Sequence, residues 1–381
     1  MSSKIYHLFK ASSFLLVKQM ISNFLQYTSN VHYFIIYLDS DDWRKKYEKF
    51  FNELGFYDYE YICKGTSIKY NFLSWIKHPV IYRGIEGKFT QIERVLYSYL
   101  ENCSYPNLLI HGDYMFYGNG VFHALSLSKI KRKAWVCWGA IPPQNKKSFY
   151  YPITYGYYRD KFLASCCFIN TLLEGDQEDL KLLEFNKNVT LCPYIIDTPP
   201  ITNFDVPKQK KVLVGNSGLY VDNYKLLLSR IRQRNMYFTF MMSYGCTKVQ
   251  QTQFLKEATS YLGNNTDLWT KNLEMDEYLK KLSSFSVYVC NVERQTGLGA
   301  IQACLSLGLR CFLTGKNLEH FRFLGFKVHS MDEFYDMMER NCIFADEYDD
   351  EIAYNKKQWS KVFNPNMLGK RWDKLFAMLE I

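Results

Sequence analysis

The sequence lacks any hydrophobic run of the ~20 residues that a membrane-spanning helix needs. Its apolar N-terminal stretch Phe14–Val17 is short and ends at Lys18, so we expect any membrane contact to be peripheral. It also lacks a CxxC pair, and the adjacent Cys166 and Cys167 suit neither a zinc site nor a disulfide. Without a secretory signal at the N-terminus, the 11 cysteines are predicted to be reduced residues of a cytoplasmic protein, many of them buried.

Proline is scarce, and its distribution suggests a boundary. Only 10 of the 381 residues are proline, and four of these fall between Pro193 and Lys211, a stretch without hydrophobic periodicity. We interpret it as an interdomain linker. The predicted domains are residues 1–195 and 211–381, joined by 196–210, and the last helix is allowed to cross back to the first domain.

Apolar runs alternate with amphipathic ones on both sides of this linker. Predicted strands are Val31–Leu38, Tyr57–Cys63, Asn107–His111, Ala134–Trp138, Cys166–Asn170, Val189–Cys192, Lys211–Val214, Tyr237–Met242, Phe285–Cys290 and Cys311–Leu313. Helical patterns separate most of them, which is typical of parallel βαβ units. The sequence therefore predicts an α/β protein with two doubly wound, Rossmann-like domains.

The charge balance favours anionic partners. The formal net charge is +9, and 17% of the residues are aromatic, including 31 Tyr. Nucleotide phosphates, nucleic acid and an anionic membrane surface would all fit this charge.

The stretch Asn291–Asn317 organises the second half of the chain. A strand ends at Cys290, and Arg294, Gln295, Thr296, Gly297 and Gly299 form a turn before a largely apolar helix. The N-terminus of a helix behind a glycine turn offers free N–H groups and partial positive charge, which suit a phosphate. Arg294 would add a guanidinium that fits phosphate oxygens. An ordinary βα corner would show the same pattern.

Another turn of this kind follows the strand Lys211–Val214. It consists of Gly215, Asn216, Ser217 and Gly218. Because both turns follow strands of one sheet, they could hold opposite ends of a diphosphate. They could equally be structural turns.

Further ligand contacts are possible from Tyr244 and Glu274. Tyr244 follows a strand and could stack on a base or ribose, while Glu274 precedes a helix and could accept hydrogen bonds from a ribose or base. A surface tyrosine, and a carboxylate that only favours the helix dipole, are the alternatives.

An acidic turn follows the strand Val31–Leu38. Asp39 and Asp41 form a DxD pattern that could hold a divalent cation on a nucleotide diphosphate. That pattern would indicate a metal-dependent transferase. The alternative, which we favour, is a solvated turn with Asp41 as a helix N-cap. We therefore predict no metal and no cofactor.

A catalytic base is predicted from the first half of the chain. His111 and Asp113 stand at the end of a strand, where either could accept a proton near neutral pH. His7 is a weaker candidate of the same kind. A structural histidine is the alternative.

The segment Asn145–Phe162 combines basic and aromatic residues. It contains Lys146, Lys147, Arg159 and Lys161 together with seven Tyr or Phe. This mixture suits an anionic membrane interface or a lipid-diphosphate acceptor. It also suits single-stranded nucleic acid, which we rank last. A half-buried aromatic helix is the structural alternative.

Several motifs together resemble one family, glycosyltransferase family 56, the TDP-N-acetylfucosamine:lipid-linked disaccharide N-acetylfucosaminyltransferases of bacterial surface polysaccharide synthesis. The matching motifs are IHGDY (110–114), WVCWGA (135–140), VLVGNSG (212–218), LEMDEYLKKL (273–282) and ERQTGLGAIQACLSLGLRCFL (293–313). They occur in the family's order and, with the aromatic and basic run up to Lys161, cover most of the chain from Asn107 to His329. Where the family's enterobacterial members have His and Asp, this chain has Val136 and Ile141.

The resemblance implies a GT-B fold in which two Rossmann-like domains face a central cleft. It implies a donor nucleotide on the C-terminal domain and an acceptor on the N-terminal domain. Gly215, Asn216, Ser217 and Gly218 match the family's VGNSG turn, and Arg294, Gln295, Gly297 and Gly299 match its RQxGxG turn. The changes at Val136 and Ile141 imply a different acceptor, donor or base.

The resulting expectation is a metal-independent glycosyltransferase. It would move a deoxyhexose, such as N-acetylfucosamine or fucose, from a nucleotide-diphosphate donor, TDP above others, to a polyprenyl-diphosphate-linked or other saccharide. It would act peripherally at the cytoplasmic face of the plasma membrane, in synthesis of O-antigen, common antigen or capsule. The alternatives are a non-catalytic nucleotide-sugar or polysaccharide binding protein, and the metal-dependent transferase that uses Asp39 and Asp41.

Overall fold

The computed structural model describes most of the chain. The described residues are 4–11, 14–38, 40–63, 99–100, 102–112, 125, 129–138, 155–182, 188–195, 206–231, 236–345 and 349–380. Asp39, Asp113, Ile141, most of the predicted linker 196–210 and residues 145–154 of the basic aromatic segment lie outside them. The chain divides into two compact units, one made of Met1–Ile196 with Pro365–Ile381 and the other of Asp197–Asn364.

The first unit is built on parallel strands. In chain order its elements are β1 (Lys4–Lys10), α1 (Phe14–Tyr27), β2 (Val31–Leu38), α2 (Asp41–Leu54), β3 (Tyr59–Cys63), β4 (Asn107–His111), β5 (Arg132–Cys137), α3 (Tyr155–Ser165), β6 (Cys166–Thr171), α4 (Glu174–Leu182) and β7 (Val189–Leu191). Their order in the sheet is β3-β2-β1-β4-β5-β6-β7. All neighbouring pairs are parallel. The order reverses between β1 and β4, as in a doubly wound sheet.

The second unit repeats this plan. Its elements are β8 (Gln209–Val214), α5 (Val221–Arg230), β9 (Tyr237–Met241), α6 (Lys248–Leu262), β10 (Thr266–Trp269), α7 (Met275–Ser283), β11 (Phe285–Cys290), α8 (Leu298–Ser306), β12 (Arg310–Leu313), α9 (Gly315–Phe323), β13 (His329–Ser330), α10 (Met331–Glu339) and α11 (Asp349–Val362). The strands pair in parallel in the order β10-β9-β8-β11-β12-β13, so β8 and β11 flank the switch point. The last helix, α12 (Pro365–Glu380), belongs to the first unit.

Hydrophobic patterning explains the cores. The strand β2 reads VHYFIIYL, and its last five residues are all buried, as expected for a strand covered on both faces. In the second unit, Val212, Val214, Val287 and Val289 lie in one buried cluster with side chains of α5, α6 and α10. The predicted α/β class is confirmed by both sheets.

Local details correct one prediction. The helix α2 begins at Asp41, and its N-cap is Ser40, so Asp41 is the first helical residue rather than the cap.

In the described part of the chain no helix is long and apolar enough to cross a membrane. The ten cysteines whose side chains are described form no disulfide, and six of them are buried.

Candidate functional site

The loops that follow β8 and β11 meet at the switch point of the second sheet. The β8 loop starts at Gly215, whose N–H donates to the carbonyl of Val289 in β11 at 2.7 Å. Because the two strands are parallel neighbours, their carboxyl ends open into the same crevice. The sequence-predicted turns 215–218 and 294–299 therefore lie side by side.

Asn216 joins three loops through one side chain. Its Nδ2 donates to the hydroxyl of Tyr244, after β9, at 3.1 Å. Its Oδ1 accepts from Oγ1 of Thr296, after β11, at 3.3 Å. Asn216 and Thr296 are both buried. The carboxyl ends of β8, β9 and β11 are thus linked by side-chain hydrogen bonds.

The backbone of the first turn is fixed in the same way. The N–H of Gly218 donates to the carbonyl of Tyr244 at 2.8 Å. Ser217 is fully buried, and its carbonyl accepts from the Tyr224 hydroxyl at 2.6 Å. Tyr224 lies in α5, which follows the turn, so the helix holds the loop from behind.

Arg294 is the cation of this crevice. The Arg294 side chain is exposed, and its guanidinium carbon lies 5.8 Å from the centroid of the Tyr220 ring. Among the described residues no carboxylate forms an ion pair with Arg294. A guanidinium over an aromatic face is oriented without being neutralised. Its full charge therefore remains available to an anion.

The N-terminus of α8 is open. Its N-cap is Gly297, with φ of 62° and no side-chain cap. A Cβ at this position would lie 3.0 Å from Cγ of Asn216, which explains the glycine. By contrast, α6 is closed by a capping box between Thr247 and Gln250. Within the described residues, the first N–H groups of α8 thus have no side-chain acceptor, and they lie at the edge where ligands of doubly wound sheets bind.

Gly299 has no such steric reason to be glycine. A Cβ there would meet nothing within 4 Å, and its φ lies outside the left-handed region. Space therefore remains beside the first turn of α8.

Two amides support the second turn. Asn317 in α9 is fully buried, and its Nδ2 donates to the carbonyl of Thr296 at 2.9 Å. Gln295 is 8% exposed, and its Oε1 has no hydrogen-bond partner among the described residues. An unsatisfied buried acceptor costs about 1–3 kcal/mol, so a donor from water or ligand is expected there.

Tyr244 and Glu274 have different positions. Tyr244 is 49% exposed and presents its ring at the edge of the crevice, with its hydroxyl held by Asn216. Burial of the hydroxyl raises the pKa of Tyr244, and the hydrogen bond from Asn216 opposes that rise. Glu274 is the N-cap residue of α7, is exposed, and makes no side-chain cap. It follows β10, the edge strand, and among the described residues its side chain forms no hydrogen bond with the linked loops.

Sequence reasoning missed the supporting residues of this site. Nδ2 of Asn223 donates to the carbonyl of Asn291 at 2.8 Å, and Nδ2 of Asn291 donates back to the carbonyl of Asn223 at 2.6 Å. Tyr220 and Tyr224 were also missed. Their only signal is their place directly after the turn 215–218.

The first sheet holds the predicted base in an unexpected setting. His111 ends β4 as predicted but is 1% exposed. Its Nε2 lies 3.0 Å from Nδ1 of His7, and its Nδ1 lies 2.7 Å from the Tyr194 hydroxyl. Burial, with a smaller effect from His32, lowers the pKa of His111 well below its ordinary value. The imidazole is therefore neutral and already bonded at both nitrogens.

The other predicted features of the first half have mixed outcomes. Val136 is fully buried in β5, so it belongs to the core. Asp41 is exposed in the first turn of α2, whereas Asp39 and Asp113 fall outside the described residues. Within the described ranges no group of three or more His, Cys, Asp or Glu is placed to hold a metal.

Comparisons with known proteins define the fold. No protein-family model and no curated protein matches this chain in sequence. Among solved structures, HepE from Anabaena in complex with UDP and glucose has a TM-score of 0.64 at 9% identity, over 98% of this chain and 99% of that one. AviGT4, a glycosyltransferase involved in avilamycin A biosynthesis, has a TM-score of 0.55 at 8% identity, over 99% and 97%.

A third similar structure is an epimerase. UDP-GlcNAc 2-epimerase from Neisseria meningitidis bound to UDP-GlcNAc has a TM-score of 0.55 at 15% identity, over 99% of both chains. These likenesses confirm a GT-B type α/β fold over the full chain. The specific resemblance to glycosyltransferase family 56 stays a prediction from the motifs.

Proposed function

We propose that this protein is a nucleotide-sugar-dependent glycosyltransferase whose donor diphosphate binds between turns 215–218 and 294–299. The observation that carries the proposal is the Asn216 bridge to Tyr244 and Thr296, which assembles three strand-end loops at a switch point. Beside it lie the N-terminus of α8, which has no side-chain cap, and the guanidinium of Arg294, which forms no ion pair with any described residue. This combination suits a diphosphate better than an uncharged ligand.

The same groups supply the chemistry of transfer. When the bond between the sugar and the diphosphate breaks, negative charge develops on the leaving phosphate. Arg294 and the α8 N–H groups are positioned before the reaction, so they stabilise that charge without reorganising. We propose that this stabilisation replaces a metal ion, and that neither metal nor other cofactor is needed.

The remaining donor contacts follow from exposure and space. Tyr244 would stack on the base or ribose of the nucleotide sugar. Oε1 of Gln295 would accept a hydrogen bond from a hydroxyl group of the nucleotide sugar. Gly299 would let the donor approach the backbone closely. Gly215, Ser217 and Gly218 would shape the opposite turn, and Glu274 would reach only an extended part of the donor.

The substrates are proposed from the motif resemblance and the similar structures. The Anabaena and Neisseria proteins were each solved with a uridine nucleotide, which supports a nucleotide-sugar donor of some kind. The family resemblance favours a TDP-linked deoxyhexose such as N-acetylfucosamine or fucose. It also favours a polyprenyl-diphosphate-linked saccharide acceptor, used in surface polysaccharide synthesis at the inner face of the plasma membrane. The net charge of +9 and the segment Asn145–Phe162 suit such an anionic surface.

A ligand panel tests the donor site. TDP, UDP and GDP, each free and sugar-linked, would be compared by thermal shift, because a ligand that binds only the folded state raises the melting temperature. We expect one nucleotide class to give the largest shift in the wild type and a reduced shift in Arg294→Ala. Arg340→Ala is the control, because Arg340 is exposed and paired with Asp336. Equal shifts in wild type and Arg294→Ala would contradict the proposed site.

Epimerisation of a nucleotide sugar is the second candidate, because the Neisseria epimerase matches over 99% of both chains. The two activities differ in their products. A transferase releases free nucleotide diphosphate only when acceptor is present, whereas an epimerase converts the donor sugar without acceptor. A non-catalytic binding protein would do neither. Incubation of the panel's best donor with and without a lipid-linked saccharide, followed by chromatography, separates the three.

A further inference from the structure

A continuous chain of side-chain hydrogen bonds crosses the first unit. Nε1 of Trp138 donates to the Tyr194 hydroxyl at 2.8 Å, and that hydroxyl lies 2.7 Å from Nδ1 of His111. Nε2 of His111 lies 3.0 Å from Nδ1 of His7, and Nε2 of His7 lies 2.9 Å from Nδ1 of His32. The three imidazoles are therefore linked in series.

The far end of the chain is a threonine. Nε2 of His32 lies 2.7 Å from Oγ1 of Thr28, which in turn donates to the carbonyl of Phe24 at 2.6 Å. Thr28 is half-buried and precedes the exposed Ser29. The chain therefore ends next to solvent.

The two ends fix the direction of every bond between them. An indole N–H can only donate and a carbonyl can only accept. Thr28 uses its one proton on Phe24, so it must accept from Nε2–H of His32. Each neutral ring then accepts at Nδ1 from the ring before it, and His111 accepts from Tyr194. This agrees with the other end, where Tyr194 accepts from Trp138 and keeps its own proton to donate.

The surroundings keep these rings uncharged. His7, His32 and His111 are at most 2% exposed, and the rings of Phe9, Phe24, Phe34 and Phe376 pack around them. A proton resting on one ring would be costly there. Movement of several protons at once along the chain avoids any buried charge.

The near end lies where a ligand of a doubly wound sheet would bind. His111 ends β4, Trp138 directly follows β5, and Tyr194 follows β7. Trp138 is partly exposed. The order of the strands reverses at β1 and β4, the strands that carry His7 and His111.

We infer that the residues from Tyr194 to Thr28 form a proton relay, and that Tyr194 receives the proton of the acceptor hydroxyl during glycosyl transfer. This role rests on the proposed function. As the hydroxyl oxygen bonds to the sugar carbon and the diphosphate leaves, its proton passes to the oxygen of Tyr194. Tyr194 passes its own proton to Nδ1 of His111.

The remaining steps conserve every proton. Each imidazole accepts a proton at Nδ1 and releases one from Nε2. Thr28 accepts the last of these at Oγ1 and, once its hydroxyl rotates from the Phe24 carbonyl towards solvent, releases its own proton to water. After the product leaves, one proton returns from water at Thr28 by the reverse steps, and Tyr194 releases one at the carboxyl edge. The relay lets buried neutral groups act as a base without a carboxylate.

The first experiment tests the relay itself and does not require that the protein show transfer activity. Nitrogen NMR of histidine-labelled protein should show His7, His32 and His111 as neutral Nε2–H rings. In Thr28→Val, which removes the exit with little change of shape, solvent exchange of the His32 and His7 ring protons should slow at least tenfold. Thr190→Val is the control, because Thr190 bonds Asn170 in the same unit away from the chain. Charged rings, Nδ1–H rings, or unchanged exchange in Thr28→Val would overturn the relay.

The second experiment tests its use in catalysis. In Thr28→Val and Tyr194→Phe we expect transfer to slow by about tenfold or more, within the range of general acid–base effects, with unchanged donor binding. The transfer rate should be measured in mixtures of light and heavy water. In the wild type it should vary non-linearly with the deuterium fraction of the solvent, because several protons move in one step. In Thr28→Val it should vary linearly. Normal transfer in a folded Thr28→Val enzyme would overturn the catalytic role. No transfer by the wild type with any donor would instead reject the proposed function, and with it the catalytic role of Tyr194.

Discussion

Oδ1 of Asn216 accepts a hydrogen bond from Oγ1 of Thr296 at 3.3 Å, although the two residues are 80 positions apart in the chain. The bond joins the loops of β8 and β11 across the switch point. It connects two glycine turns that are far apart in the sequence.

The Asn216–Thr296 pair should show measurable coupling. We expect Asn216→Ala and Thr296→Val each to lower the free energy of unfolding by about 0.5–1.5 kcal/mol per lost hydrogen bond. Because both changes remove the same bond, the double variant should lose less than the sum. Urea unfolding of the four proteins measures this, and strict additivity would show that the bond contributes nothing. Affinity for the nucleotide sugar should weaken most in Asn216→Ala, because this change also removes the hydrogen bond to the Tyr244 hydroxyl.

Two neighbouring glycines should respond differently to alanine. Gly297→Ala places a Cβ at positive φ against Asn216, so it should destabilise the protein by more than about 1 kcal/mol. Gly299→Ala adds a methyl to open space inside a helix, so it should leave stability unchanged or raise it by up to about 1 kcal/mol. If the donor lies beside α8, Gly299→Ala should nevertheless weaken donor binding. Thermal melts and ligand titrations separate these effects, and normal affinity in Gly299→Ala would move the donor away from this turn.

Arg294→Ala should fold normally, because the side chain is exposed and its only described ring contact is Tyr220. Transfer should fall by about 10²–10³, the effect of losing one preorganised charge-stabilising group. Arg294→Lys keeps the charge but loses the forked geometry, so it should recover part of the rate. Steady-state kinetics with saturating donor measures this, and near-normal turnover in Arg294→Ala would remove Arg294 from the site.

Acid should destabilise the first unit through its histidines. Burial lowers the pKa of His7 and His111 well below the ordinary value, and that of His32 to about 4. In the unfolded chain these rings titrate near 6.5, so unfolding takes up protons below that pH. Titration of these rings therefore costs almost nothing well above pH 6.5, and the free energy of unfolding falls as the pH drops through 6.5 towards 4. At pH 5.5 the loss is about 1.4 kcal/mol per ring.

Unfolding free energies at several pH values between 7.5 and 5 test this sign. His7→Gln should lower stability throughout but reduce the pH slope by about one proton.

His329 provides a contrast in the second unit. Burial alone would lower its pKa, but hydrogen bonds to Glu351 and Glu333 raise it above the ordinary value. Its contribution is present at low pH and lost as the pH rises, so His329→Gln should cost more at pH 5.5 than at pH 8.

Metal removal should leave transfer intact. Under the proposed function, Arg294 and the α8 N–H groups would neutralise the leaving diphosphate in place of a metal, so EDTA should not lower the rate. Asp41→Asn, at the exposed start of α2, should likewise keep normal activity. Abolition by EDTA, restored by added Mg²⁺ or Mn²⁺, would revive the DxD interpretation of Asp39 and Asp41.

The opening strand shows why part of the fold escaped prediction. The strand β1 is central in its sheet, yet its sequence KIYHLFK carries His7 among apolar residues and lysines at both ends. A histidine in such a run weakens the hydrophobic pattern. In the folded sheet, His32 on β2 and His111 on β4 lie within hydrogen-bond distance of the His7 ring. These partners reduce the cost of burying His7, and they cannot be seen in the local sequence.

The alternation of strands and helices and the two glycine turns could be predicted from the sequence, because hydrophobic periodicity and glycine conformation are local properties. The sequence also marked Arg294, since a charge beside a helix N-terminus can be seen in a few residues. The contacts of Asn216 with Thr296 and Tyr244, and the hydrogen-bonded series of three histidines, became visible only in the folded chain. Those contacts depend on strand order, which brings residues far apart in the chain to one edge or one face of a sheet.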